Sequence, residues 1–357
     1  ANYAANNQWQ LRQRTEIVGE APSADMREWT ANMFVEKVRT SIKEAMADSV
    51  LLLNTSSRTY IPFVELGETS EYYHHDMYHL LAFRSIEALL IHSFEALQQI
   101  EGLDRATPVE AYSEDTSSKK QSPVKQDIER IYENMLTSYK AKGDKEGCLL
   151  TNLNYLSWKR DSSKSFREPF SVKKGGTYMM TVDPYETGLD ALKTEYKSSD
   201  LCAEVYLAQA NYMIGKEQQT VALQLCDEAI RLYPGYRRIN ALKNLREDIL
   251  SPSLNVTAAA TVFPGEEIKI RASHKNLDGF TLRLFQAKKL IKEQHFAVLR
   301  PEDYRAQDTV FTFQAPEVGE YVMRIIPDIR AKRDSESKFN VTRFKALTCR
   351  LPEINMK

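Results

Sequence analysis

A chain of 357 residues with 42% hydrophobic content holds too much apolar material for one ordinary core, so it suits two domains, or a helical array joined to one compact domain. Lys and Arg number 48 against 49 Asp and Glu, a net charge of -1, which excludes a global field drawing the chain to nucleic acid or anionic lipid; no basic stripe reverses this. No apolar run approaches a bilayer span, since the greasiest segment, Leu89-Leu90-Ile91, is interrupted by His92.

The opening ANYAANNQW has no charged-then-apolar signal pattern. A small, polar start matches a secreted protein after removal of its leader, and equally a chain trimmed at that point. From about residue 24 to 250 the periodicity is helical. The segment DMREWTANMFVEKVRTSIKEAMAD sets Trp29, Met33, Val35, Val38 and Ile42 on one broad face and predicts an amphipathic helix. The next predicted helix covers 70–100. Thr69, Ser70 and Glu71 offer capping oxygens at its start, and Leu80, Phe83, Ile86, Leu89, Leu90 and Phe94 form its stripe. Residues 101–121, with EDTSSKKQS, read as an exposed connection. Helix signals resume through IERIYENMLTSYKAKGDKEGCLLTNLNYLSWKR, with Gly143-Asp144 as the hairpin turn. Residues 162–183 are irregular, and TYMMTV predicts at most one short strand there. YETGLDALKTEY is helical again.

The stretch 203–236, AEVYLAQANYMIGKEQQTVALQLCDEAIRLYPGY, carries the most information. Tyr206, Gln209, Ala210 and Met213, then Ala222, Cys226, Ala229 and Pro234, fall at the spacings of one tetratricopeptide-like (TPR-like) helix hairpin. Antiparallel helices approach closely only where one offers a side chain no larger than a methyl, which makes Ala210 and Ala222 decisive. Pro234 stops the second helix. Such a unit has no chemistry of its own and must stack on helical neighbours, so it points to scaffolding or recognition. A final helix is predicted over 236–250.

Ser251-Pro252-Ser253 is the sharpest boundary. Beyond it the pattern alternates in LNVTAAATVF, EEIKIRASHKN, FTLRLFQA, DTVFTFQA, GEYVMRIIPDI and FNVTRFKALTCR, with turns at Pro264-Gly265, Asp278-Gly279 and Val318-Gly319. Short strands at this density predict an antiparallel β-sandwich. The domains are therefore 1–250, a helical array with its TPR-like hairpin at 203–236, and 254–357, a β-sandwich. The ending PEINMK follows directly on a strand, from which further protein is expected beyond it.

Candidate sites are few. Cys148, Cys202, Cys226 and Cys349 lack CxxC spacing, which argues against a zinc ribbon or redox motif; Cys202 and Cys226 read as buried thiols acting as small hydrophobes. His75 and His79 in YYHHDMYHLL are four apart, the helical spacing of zinc proteases, but no glutamate follows the first histidine as general base. Histidines satisfied within a helix and flanked by interfacial tyrosines fit better. VKKGGTYMM, around Gly175-Gly176, lacks the spacing and context of a nucleotide loop, and no GxSxG occurs. No catalytic, cofactor or metal residue is assigned. Tyr 18 and Phe 14 allow a ring-lined groove, although core packing accounts for most of them.

Trp9 before a long helix, SEYYHHDMYHLLAFRSIEAL, IERIYENMLTSY, the hairpin ending LYPGY, NLREDILSPSLNVTAAATVFPGEEIKIRASHKNLDGFTLRLFQ, GEYVMRIIPD and FNVTRFKA together resemble the N-terminal region of the Bacteroidetes alpha-2-macroglobulin-like (large extracellular alpha-helical) proteins. The resemblance covers most of the chain through diffuse patterns. It implies a helical TPR-like part followed by a first macroglobulin-type (macroglobulin- or fibronectin-III-like) sandwich, in an exported protein that is periplasmic or associated with the outer membrane or cell surface. Full-length relatives trap or bind proteases, some through a Cys-Gly-Glu-Gln thioester that this sequence lacks. The expected function is a non-enzymatic scaffold contacting a protein partner, proteases among them, or further domains of the same polypeptide. The rim around Tyr72, Tyr73 and His74 is the candidate partner surface. The alternatives are a cell-surface glycan-binding protein for nutrient capture and a metallohydrolase using His75 and His79.

Overall fold

The computed structural model describes residues 11, 24–61, 63, 67, 72–103, 123–162, 170–174, 178–259, 261–328 and 341–346. The helical part precedes the antiparallel β-sheets. The chain forms two compact units, Ala1–Leu192 and Lys193–Lys357.

In the first unit the helix expected across DMREW to AMAD is interrupted. Trp29 is extended (φ -70°, ψ 143°) after a short 3-10 turn, and Thr30 caps α1 (Ala31–Ala45) by accepting the Met33 N–H. Phe34, which the predicted face omitted, is buried beside Trp29, with ring centroids 5.1 Å apart, and packs with Leu11. Asp48 caps α2 (Ser49–Asn54). Helix α3 (Met77–Leu103) begins later than the sequence suggested, because the Asp76 carboxylate takes the His79 N–H at 2.9 Å and so fixes the first turn. Ala82, Ile86 and Leu89 are buried, whereas Leu90 is exposed. The expected caps Thr69, Ser70 and Glu71 lie outside the described residues, as do Gly175-Gly176 and the connection expected at 101–121, apart from 101–103, which belong to α3.

Helices α4 (Pro123–Lys142) and α5 (Lys145–Ser162) form the expected hairpin. Gly143 turns it at φ 68°, and Asp144 accepts the Gly147 N–H at 2.8 Å. Ile128, Tyr132, Met135 and Tyr139 recur at three- and four-residue steps and are all buried. Where a loop with one short strand was expected, β1 (Phe170–Lys174) and β2 (Tyr178–Val182) pair as an antiparallel hairpin. Asp183 then caps α6 (Pro184–Glu195), in which the boundary between the units falls.

The second unit opens with α7 (Ala203–Gly215), α8 (Gln219–Leu232) and α9 (Ile239–Leu250). Ala203, Ala210, Ala222, Cys226 and Ala229 are completely buried, and α7 packs against α8. Tyr233 follows α8 and donates its hydroxyl to the Lys197 carbonyl at 3.1 Å. Arg238 reaches Glu204 at 2.6 Å, tying the start of α9 to α7.

After Ser251-Pro252 come β3 (Ser253–Ala258), β4 (Thr261–Val262), β5 (Glu267–Lys275), β6 (Gly279–Gln286), β7 (Lys289–Ala297), β8 (Gln307–Gln314), β9 (Gly319–Pro327) and β10 (Val341–Ala346). One sheet runs β4-β10-β9-β6-β7 and the other β3-β5-β8; β4 pairs with β10 in parallel and the other pairings are antiparallel. LNVTAAATVF, which reads as one strand, divides between the two sheets. Strand β7 was not expected: its residues are mostly exposed at a sheet edge, so KLIKEQHFA lacks a clean alternation. Ile268, Ile270 and Phe313 of one sheet share a core with Leu282, Leu284 and Met323 of the other.

Replacing Ala210 with Leu inserts three carbons where nothing can yield. Urea unfolding is expected to register a loss of about 1–3 kcal/mol, against within about 0.5 kcal/mol for the exposed control Thr220→Leu. Equal effects from the two would contradict the close approach of α7 and α8.

Candidate functional site

A buried polar cluster lies where the chain enters α3. Asp76 is nearly buried, and its two oxygens stand 2.8 and 2.9 Å from His79 Nδ1; Lys142, at the end of α4, donates to Oδ2 at 2.7 Å. The His79 ring is wholly buried and stacks on Tyr139 with centroids 3.7 Å apart. The Tyr139 hydroxyl accepts the His74 N–H at 3.0 Å, and Ser57 Oγ donates to the carbonyls of His74 and His75 at 2.8 and 3.0 Å. Gly147 allows Tyr139 its place: a Cβ there would meet the ring at 2.5 Å. Side chains from α4 and from the loops around residues 57 and 74 thus fasten the backbone at the head of α3.

Burial acts to raise the Asp76 carboxyl, but hydrogen bonds from His79 and Lys142 outweigh it and hold the group down at about 2. Burial, reinforced by the neighbouring His79, pushes the His74 imidazole down to about 3, so it is neutral at physiological pH. His79 resembles the base of an Asp-His pair, yet its Nε2 is sealed inside and makes no hydrogen bond. A general base needs that nitrogen within reach of a substrate, so in this conformation the pair anchors the fold.

Tyr72, Tyr73 and His74 are half-buried. The His74 ring lies 3.7 Å from that of Tyr73 and 4.7 Å from that of Phe83, and its Nε2 is enclosed. His75 is exposed on the turn before α3 while His79 is inside, so the helix-face pairing that spacing suggested does not form. Among the described residues no three His, Cys, Asp or Glu side chains converge as metal ligands. Cys148, Cys202 and Cys226 are buried, and burial pushes the Cys226 thiol up to about 11; Cys349 lies outside the described residues. No helix among the described residues is long and apolar enough to cross a membrane.

A second polar cluster joins the helices of the second unit to its sheets. Helix α9 ends at Leu250, leaving its last carbonyls without helical partners. Asn276, just past β5, directs its side-chain amide at three of them: Ile249 at 2.9 Å, Leu250 at 3.0 Å and Ser251 at 3.3 Å. Lys275 adds an ammonium contact to the Asp248 carbonyl, a favourable charge at a helix C-terminus. Asn276 is 7% exposed with φ 55°, a left-handed conformation that Asn tolerates better than most residues. Its contacts were not foreseen; the signal was an Asn closing a strand ahead of Asp278-Gly279.

No family model matches the chain, and no curated protein matches it. Among solved structures the chain is similar to the CARDB domain of a Pyrococcus furiosus protein. The crystal structure of that domain, in complex with di-metal ions, matches at 10% identity over 27% of this chain and 88% of that one, with a TM-score of 0.21. Its solution structure matches at 15% identity over 27% and 93%, with a TM-score of 0.18. Likeness at this level carries no weight for fold or function.

Stability should fall with acidity in two stages. The unfolded chain protonates His74 near 6.5 while the folded chain resists until about 3, so stability drops below about pH 6.5, at a limiting slope of about 1.4 kcal/mol per unit. The Asp76 contribution is complete above about pH 4 and is lost as pH falls toward about 2. His74→Phe keeps a ring between Tyr73 and Phe83 and should flatten the decline between pH 6.5 and 4.5 in urea titrations, His274 contributing the remainder. An unchanged slope would remove His74 from this account.

Proposed function

We propose that the chain is a non-enzymatic scaffold and protein-interaction region, a TPR-like helical array leading into an antiparallel β-sandwich of macroglobulin type. Its place is the N-terminal region of an exported alpha-2-macroglobulin-like protease-inhibitor protein, periplasmic or at the cell surface. The observation that carries this reading is the Asn276–Lys275 clasp on the end of α9. A helix terminus held by a buried side chain of the following β-region gives the hairpin a fixed bearing on the sheets, which a docking or spacing module requires and a flexible tether would lack.

Two further features support the reading. The α7–α8 hairpin is sealed inside by methyl-sized residues, while Val221 and its polar neighbours stay on the outer flank, so a recognition surface is presented without disturbing the core. Tyr155 stacks on both Tyr132 and Trp158 within the first unit, and all three are buried, so this cluster of rings serves packing and offers no platform for sugars. That favours protein recognition over glycan capture. The partners are other domains of the same polypeptide or a separate protein, proteases included, and Tyr72, Tyr73 and His74 remain the candidate contact on the first unit.

Immobilised chain tested against a panel of proteases and of oligosaccharides should bind protein saturably and sugar not at all; saturable oligosaccharide binding without any protein binding would defeat the reading. Asn276→Gly retains the left-handed backbone and removes only the amide. It should cost about 1–3 kcal/mol in urea and broaden the distance distribution between spin labels at positions 220 and 310. A single narrow distance in both wild type and variant would show the clasp to be dispensable for rigidity.

A further inference from the structure

Within the first unit, α1, α3 and α4 enclose a groove of about 400 Å³. That volume is at the small end of the range, roughly 300–1,000 Å³, typical of small-molecule sites. Ile42, Met46, Leu89 and Ile131 supply apolar walls. The polar lining is lopsided in charge, with Arg39, Lys43 and Arg130 against the single carboxylate of Asp127.

That carboxylate is already paired with two guanidinium groups. Arg39 Nε contacts its Oδ2 at 2.5 Å and Arg130 its Oδ1, so Asp127 has little capacity left to hold a bound cation. Each guanidinium carries five N–H donors in a fixed fork and retains donors beyond those given to carboxylates. Lys43 is exposed on α1, and the Arg130 side chain is 60% exposed. The excess positive charge therefore lies at the accessible side of the groove. The Arg39–Asp127 pair also ties α1 to α4 within the groove's lining, which suits a compact occupant better than a helix wedged between those helices.

From this arrangement we infer a binding site for a small amphipathic carboxylate, whose aliphatic tail lies against Ile42, Met46 and Ile131 and whose anionic head meets Lys43 and Arg130. The tail must be compact, since the groove has room for a small molecule only. Removing that tail from water supplies the attraction, and the cations select the sign of the head.

Methyl NMR of the full chain, labelled at Ile and Met, tests the site with decanoate, decyltrimethylammonium and an acidic amphipathic peptide as probes. Decanoate should shift the Ile42, Met46 and Ile131 methyls saturably below about 1 mM. The Lys43→Glu, Arg130→Gln double variant should weaken this at least tenfold, with an unchanged melting temperature verifying the fold. Met46→Trp, which fills the groove, should abolish it. The inference is overturned if decyltrimethylammonium binds as well as decanoate, if the peptide binds there in preference, if no saturable shift occurs, or if the charge variant binds unchanged.

Discussion

The second unit depends on how α9 ends. A helix that stops beside a sheet leaves carbonyl groups that must be satisfied in a space where water is scarce, and an orphaned one costs about 1–3 kcal/mol. Asn276 resolves this with one side-chain amide directed at three carbonyls, and Lys275 adds positive charge where the helix dipole favours it. Because Asn276 follows β5 directly, whatever fixes the sheets also fixes the helix. The packing of α7 on α8, in which Ala210 and Ala222 are both completely buried, then carries that constraint to the outer flank of the hairpin.

The first unit applies the same logic at the opposite end of a helix. Asp76 caps α3, holds His79 and Lys142, and through Tyr139 and Ser57 the preceding loop is fastened as well. In both units a short polar side chain serves a helix terminus and is itself enclosed, so loss of the terminus and loss of tertiary packing are coupled. Both clusters serve helix termini, and binding is proposed for other features: the groove between α1, α3 and α4, the exposed flank of the hairpin, and the rim of Tyr72, Tyr73 and His74.

Much of this was legible in the sequence where local signals agreed. Gly143-Asp144, the alanines of 203–236 and the change of period at Ser251-Pro252 each specify geometry through residues adjacent in the chain. What was not legible depended on tertiary context. The start of α3 moved to Met77 because Asp76, a single carboxylate buried by α4, won over caps offered further upstream. Leu90 fell outside the buried stripe because nothing in the helical period says how wide a face the neighbours will cover. Strand β7 was hidden because edge strands carry charge on both faces. His75 and His79 looked like neighbours on a helix, but the helix begins between them. The Asn276 contacts span some 25 residues of chain, beyond the reach of any local pattern.

The central claim is that the α7–α9 helices and the two sheets behave as one cooperative body. Native-state hydrogen exchange on the full chain tests it most directly, because the free energy for opening each amide reports the unit it opens with. The most protected amides of α7, α8 and α9 should exchange with the same opening free energy and the same urea dependence as those of β5, β6 and β9. Helical amides that open at distinctly lower free energy, with their own shallower urea dependence, would show a hairpin merely tethered to the sheets and contradict the account.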